Sequence, residues 1–141
     1  PRAPRHRPSV TIVVDSSVVV AALVDAGPDG DWARAGLRGD DLAAPVHLHV
    51  EVSNVLRRAV LAGRLGEDAG TLAHRDLVDL PLTVFPFEPL ADRVWQLRPA
   101  VTAYDAAFVA LAEELETPLW TLDRRLAAAP GPRCGFVLPG G

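Results

Sequence analysis

At 141 residues and 49% hydrophobic composition, the chain has material for one compact domain with its own core and too little for two. A lone cysteine, Cys134, excludes an internal disulfide, and no apolar run approaches the roughly 20 residues that span a bilayer; a cross-linked secreted scaffold is excluded and a soluble, cytoplasmic chain is expected. The net charge of −4, with arginine in place of lysine throughout, argues against a coat that holds nucleic acid by bulk charge, but not against an acidic site that meets phosphate through a cation.

Residues 1–9 interleave Arg2, Arg5 and Arg7 with Pro1, Pro4 and Pro8 and read as a flexible basic arm ahead of a single domain over 10–141. Residues 10–14, VTIVV, are β-branched and apolar on both faces, the pattern of a buried parallel strand. The run stops at Asp15. Ser16 and Ser17 offer caps for an apolar helix over 18–24, which Gly27, Pro28 and Gly30 then break. A short helix is predicted over 31–37, a short strand over 42–44, and a longer helix from Pro45 to about Ala62, ended by Gly63. In that helix Val46, Val50, Val52, Val55, Leu56, Val60 and Leu61 predict a broad core-facing side, with Arg57, Arg58 and Arg64 near the end where the helix dipole favours cations.

Residues 67–80 predict a helix closed by Pro81, 82–85 a strand, and 89–97 a helix with Trp95 turned to the core. Residues 104–116 form the clearest helical pattern, with Ala107, Phe108, Leu111 and Leu115 on one side and Glu113, Glu114 and Glu116 as a solvated end. A third buried strand over 119–122 leads into Asp123, followed by a short helix over 124–128 and a last strand near 136–138. Strands alternating with helices imply an α/β fold: a mainly parallel sheet covered by helices on both faces. Ligands of such sheets sit beyond the carboxyl ends of the strands, where Asp15 and Asp123 fall.

Two further acids join this edge: Glu51, inside the apolar helical segment EVSNVLRR, and Asp105, which opens YDAAFVALAE. Thr121 precedes Asp123 by two residues, so both point to one face of the strand. Carboxylates brought together repel and raise one another's pKa unless a cation neutralises them. Hard carboxylate oxygens, without a cysteine and histidine set, select Mg²⁺, with Mn²⁺ as a substitute, over Zn²⁺. The chemistry such an ion makes available is phosphodiester hydrolysis without a covalent nucleophile.

Each acid also has a plain structural reading. Asp15, Asp105 and Asp123 could serve helix starts, and Glu51 could pair with Arg58. His47 and His49 read as surface or substrate-contacting groups rather than ligands, Cys134 as a small packed hydrophobe, and Arg57 and Arg58 as contacts to a substrate phosphate or a protein partner. Phosphoryl transfer of the receiver type needs a lysine that the chain lacks, and an aspartate phosphatase needs a second Asp where Ser17 stands.

The segments VVDSS, EVSNVLRR, YDAAFVALAE and TLDRRL resemble, in the same order, the four signature segments of PIN-domain ribonucleases of the VapC-like toxin type, and together they run from Val10 to about Leu126. The resemblance implies a three-layer α/β/α sandwich and a Mg²⁺-dependent endoribonuclease. It also implies a homodimer, RNA as substrate, and a cognate VapB-like antitoxin in a toxin–antitoxin pair. It casts Asp15, Glu51, Asp105 and Asp123 as catalytic metal ligands, Ser17 and Thr121 as supporting hydroxyls, and Asn54 as a hydrogen-bond partner that orients Glu51. Trp120 is bulkier than the pattern leads one to expect. The alternative is a PIN fold that binds RNA or protein without cutting.

Overall fold

The computed structural model describes residues 11–38 and 41–140; the predicted basic arm, and Val10 at the start of the first strand, lie outside them. In chain order the elements are β1 (Thr11–Val14), α1 (Ser16–Val24), α2 (Pro28–Gly36), β2 (Asp41–Pro45), α3 (Leu48–Leu61), α4 (Glu67–Asp79) and β3 (Leu82–Phe85). A 3-10 turn (Glu88–Leu90) then runs into α5 (Ala91–Gln96), followed by α6 (Ala103–Glu114), β4 (Leu119–Trp120), α7 (Arg124–Ala128) and β5 (Phe136–Val137).

The five strands form one sheet in the order β3-β2-β1-β4-β5, every pairing parallel. β1 is central because its apolar, β-branched residues suit burial on both faces: Ile12, Val13 and Val14 are buried, with Ile12 opposite Leu42 and Val13 opposite Leu119. Helices α1 to α4 pack together, while α6 lies on β1, β2 and β4 with α5 against it, so the sheet is the middle of three layers. From Ala106 to Ala112 every residue of α6 is buried; four alanines in that stretch let the helix lie close to the sheet.

The α1–α2 corner is tight. A Cβ at Gly30 would stand 1.8 Å from the Asp25 carbonyl oxygen, and Arg34 Nη1 ties the corner by donating to the carbonyls of Ala22 (3.1 Å) and Asp25 (2.8 Å). Trp120 is accommodated by stacking on Trp32, ring centroids 5.1 Å apart, over Gly36, where a Cβ would lie 2.2 Å from the indole.

Two expectations about apolar residues are corrected. Pro45 closes β2 rather than opening α3, and α3 buries only Leu48, Val52 and Leu56, one stripe at four-residue spacing. A helix packed on one side cannot bury all its valines, so Val46, Val50 and Leu61 are exposed. Trp95 faces outward too, since Val94 and Leu97 take the core side of the short α5; the Arg98 guanidinium covers its ring at 4.5 Å. Among the described residues, no helix is long and apolar enough to cross a membrane.

Candidate active site

The chain leaves β1 toward β2 and β3 on one side and returns to β4 and β5 on the other. Connections therefore diverge between β1 and β4, and an open parallel sheet has its natural crevice at the carboxyl ends of that pair. Asp15 follows β1 directly and Asp123 lies three residues past the end of β4.

Asp15 is almost fully buried and caps α1, its Oδ1 accepting from the Val18 amide (3.2 Å) and the Ser17 hydroxyl (2.5 Å). The Thr121 hydroxyl donates to Oδ2. Both hydroxyls also accept an amide from the turn after β4: Ser17 Oγ from Leu122 at 3.0 Å, and Thr121 Oγ1 from Asp123 at 3.0 Å. Ser17 and Thr121 thus lock the β1 and β4 ends to each other through Asp15. Asp123 caps α7, its Oδ1 accepting the amides of Arg125 (2.9 Å) and Leu126 (3.2 Å). The capping readings of Asp15 and Asp123 are correct, and they hold both carboxylates at the crevice.

Asp105 enters from α6, whose N-cap Thr102 accepts the Asp105 amide at 3.2 Å. Glu51 enters from the first turn of α3 and accepts a hydrogen bond from the Ser16 hydroxyl of α1. Glu51, Asp105, Ser16 and Ser17 line one groove of about 850 Å³. Burial, opposed by the bonds from Ser17, Thr121 and the Val18 amide and assisted by the charge of Asp105, raises the Asp15 pKa. Burial, then the charges of Asp123 and Glu51, raise that of Asp105. Asp105 is thus within electrostatic reach of Asp15, Glu51 and Asp123. The four acids are not gathered to bonding distance of a common point: among the described residues no three His, Cys, Asp or Glu side chains are placed to share an ion.

The PIN-domain family model matches residues 12–132, nearly the whole chain. The chain belongs to the PIN-domain family, in its VapC branch. It is 44% identical over 127 residues to ribonuclease VapC1 of Mycobacterium tuberculosis, covering 89% of this chain and 96% of that one. With ribonuclease VapC12 of the same organism the identity is 38% over 120 residues, covering 85% and 92%. Among solved structures, PAE2754 of Pyrobaculum aerophilum superimposes with a TM-score of 0.66 at 26% identity, covering 90% of this chain and 83% of that one.

Around this PIN crevice several expectations are redistributed. Asn54 lines the adjoining cavity, but the hydrogen bond expected from it to Glu51 comes from Ser16. Ser16 was legible only as a cap; that it reaches an acid 35 positions away depends on how α1 crosses α3. Arg58 lines the acidic groove without pairing to Glu51; the ion pairs of the described residues are Arg34–Asp31 and Arg93–Glu113. Arg57, its neighbour, lines a separate cavity between α3 and α4 with Glu67 and His74. His47 donates through Nε2 to the Tyr104 carbonyl at 3.2 Å and packs edge-on against Phe108, so its ring is braced beside the acids, where its charge acts on Asp105.

The far end of α6 departs from the sequence reading. Glu113 is not part of a solvated helix end: it accepts from Arg93 Nε (2.6 Å) and Nη2 (3.1 Å) and from the Arg133 amide (2.7 Å). Burial works against its ionised form, but Arg93 and the Arg133 amide outweigh it and lower the Glu113 pKa. Cys134 packs against the core there, and burial pushes its thiol pKa up to about 11, as expected of a packed rather than a reactive cysteine.

Proposed function

We propose that the chain is a Mg²⁺-dependent endoribonuclease and the toxin of a VapBC-type pair. One observation carries this reading: four carboxylates from four separate elements lie around the switch point of a parallel sheet, Asp105 feels the charge of its neighbours there, and burial with repulsion raises the pKa of two of them. Such an assembly is poorly stable by itself and is stabilised by a cation. Kinship with chains named as ribonucleases supplies the substrate class.

Asp15, Glu51, Asp105 and Asp123 are the residues that would hold the ion. Their donor set suits it, being all oxygen and strongly anionic with no thiol or imidazole. When bound, Mg²⁺ or Mn²⁺ polarises the scissile phosphate and acidifies the attacking water. The protein's own part is positional. Asp15 is fixed on both oxygens by Ser17, Thr121 and the Val18 amide, so its orientation is set before any ligand arrives. Ser16 holds one oxygen of Glu51.

The VapC kinship also supports a protein antitoxin and a homodimer. The exposed valines of α3, Val50 at 73% and Val46 just before the helix at 54%, are apolar surface suited to a partner. In titrations of the purified chain with Mg²⁺ and Mn²⁺, beside cleavage of single-stranded RNA, wild type is expected to bind and cut. Asp105→Asn is expected to lose at least about a hundredfold in rate, the scale on which removing one charged group from a catalytic electrostatic site is felt. Full activity in Asp105→Asn overturns the assignment, and metal binding without cleavage of any RNA favours the non-cutting module. Expression alone should arrest bacterial growth, with relief by an adjacently encoded small protein.

A further inference from the structure

Two side chains at the mouth of the acidic groove have no part in the metal chemistry. Tyr104 precedes Asp105 and is 66% exposed. It lines both the groove over Glu51 and Asp105 and an adjoining cavity of about 400 Å³. Its main chain is braced by His47, which is itself packed on the buried Phe108. Its ring is not covered: the His47 imidazole stands 6.1 Å away and tilted by 54°. Trp95, equally exposed, differs in having the Arg98 guanidinium over its ring. Arg58 lines the same two cavities and, among the described residues, forms no ion pair, although Asp25, Glu51 and Asp105 share its groove.

We propose that Tyr104 and Arg58 form a nucleotide subsite beside the acidic centre, Tyr104 stacking on a base of single-stranded RNA and Arg58 holding an adjoining phosphate. This rests on the ribonuclease reading and adds to it the means of gripping the strand. An acidic crevice repels a polyanion, and a resident metal ion serves the scissile phosphate alone. The flanking backbone needs a cation from the protein, and Arg58 is the arginine that both cavities share. An open aromatic ring beside a phosphate contact is the usual platform for an unpaired base, because every base has a π face. The subsite therefore selects for unstacked nucleotides more than for a particular sequence.

The test is fluorescence anisotropy of a labelled oligoadenylate on full-length chain carrying Asp105→Asn, which leaves the RNA intact, with Mg²⁺ present. Adding Tyr104→Leu is expected to weaken binding about tenfold, and Tyr104→Phe to stay within about twofold, since the ring and not the hydroxyl does the stacking. Arg58→Ala is expected to weaken binding about tenfold and to reduce the salt dependence by about one ion, while Arg57→Ala, the same charge change in the other cavity, stays within about twofold. An abasic linker at the stacked position should erase the Tyr104→Leu effect. With Asp105 restored, Tyr104→Leu should raise KM and leave kcat unchanged.

Unchanged affinity on adding Tyr104→Leu, when the chain with Asp105 restored cleaves RNA, overturns the subsite and leaves the ribonuclease reading standing. Equal losses for Arg57→Ala and Arg58→Ala overturn it as well, because the arginine effect would then be unlocalised. Intact RNA affinity with weakened relief by the antitoxin reassigns the pair to protein recognition. If wild type neither binds nor cuts any RNA, the reading beneath the proposal fails first.

Discussion

Helix α6 carries an acid near each end, and the two are treated in opposite ways. Asp105 sits in the first turn, where the helix dipole favours a carboxylate by roughly 0.3–1 kcal/mol, yet its pKa is raised. Glu113 sits in the last turn, where the dipole disfavours it, yet its pKa is lowered. Local partners decide both cases. Asp105 is half-buried among other carboxylates, whereas Glu113 receives a two-pronged hydrogen bond from Arg93 and the amide of Arg133. One end is arranged for stability. The other is left electrostatically unfinished, as the proposed cation site would require.

The largest stability effect is expected from breaking the finished end. Arg93→Leu leaves the partly buried Glu113 without its arginine and frees the tail, which Arg93 also holds through the Gly131 carbonyl at 2.9 Å. A loss of about 2 kcal/mol in chemical denaturation is expected, the scale of a hydrogen bond to a charged group, with part of it recovered in the Arg93→Leu, Glu113→Leu pair. If the single variant denatures like wild type, the ion pair has no structural weight and the contrast between the two ends dissolves.

A smaller effect, of opposite sign, is expected at the unfinished end. Without divalent ions, Asp105→Asn should be more stable than wild type by about 1 kcal/mol or less, the loss of repulsion outweighing the loss of a favourable dipole contact. Saturating Mg²⁺ should reverse the order, since wild type gains the free energy of binding and the variant forfeits much of it.

The pH dependence separates the two ends by sign. Asp15 and Asp105 have pKa values raised above the ordinary carboxylate value of 3.8, so their penalty is absent below that value and grows as pH rises through their raised folded pKa. Glu113 has a pKa lowered below the ordinary glutamate value of 4.5, so its contribution is full above that value and is lost as pH falls through its lowered folded pKa. In chelator, acidification from neutral should first stabilise the chain and then, below about pH 4.5, destabilise it; Mg²⁺ should suppress the first phase. A stability that falls monotonically with acid in chelator would mean that the crevice carries no repulsion to relieve.

Much of the crevice is legible in the sequence because it is encoded locally. An apolar β-branched run that stops at Asp15, and a short one leading into Asp123, declare strand ends without reference to any other segment. Side chains whose partners are remote in sequence are not legible in this way. Ser16 finds Glu51 across the α1–α3 contact, and Glu113 finds Arg93 across α5 and α6, 20 positions away. Composition conceals both, since a serine beside a helix start reads as a cap and three glutamates in four residues read as solvated. The valines of α3 mislead for a related reason: hydrophobic residues in excess of one stripe mark surface for a partner as readily as core.

The smallest expected effect tests whether the finished end of α6 is fully optimised. The helix stops in a two-bond C-terminal motif, the Glu116 amide donating to the Glu113 carbonyl (3.2 Å) and the Thr117 amide to that of Ala112 (3.0 Å). This places Glu116 at φ 52°, in the left-handed region that favours glycine. A side chain there costs about 1–2 kcal/mol, and glycine returns part of the gain through the entropy of its unfolded state. Glu116→Gly should therefore stabilise the chain by about 0.5 kcal/mol, measured as a shift in denaturation midpoint at constant slope. Glu116→Ala separates the causes: it removes the same charge from the negative end of the dipole but keeps the Cβ. If the alanine variant gains as much as the glycine variant, charge and not backbone strain limits this terminus. A gain confined to glycine means that the stable end of α6 still carries conformational strain, and that the opposed titration of Asp105 and Glu113 does not depend on removing it.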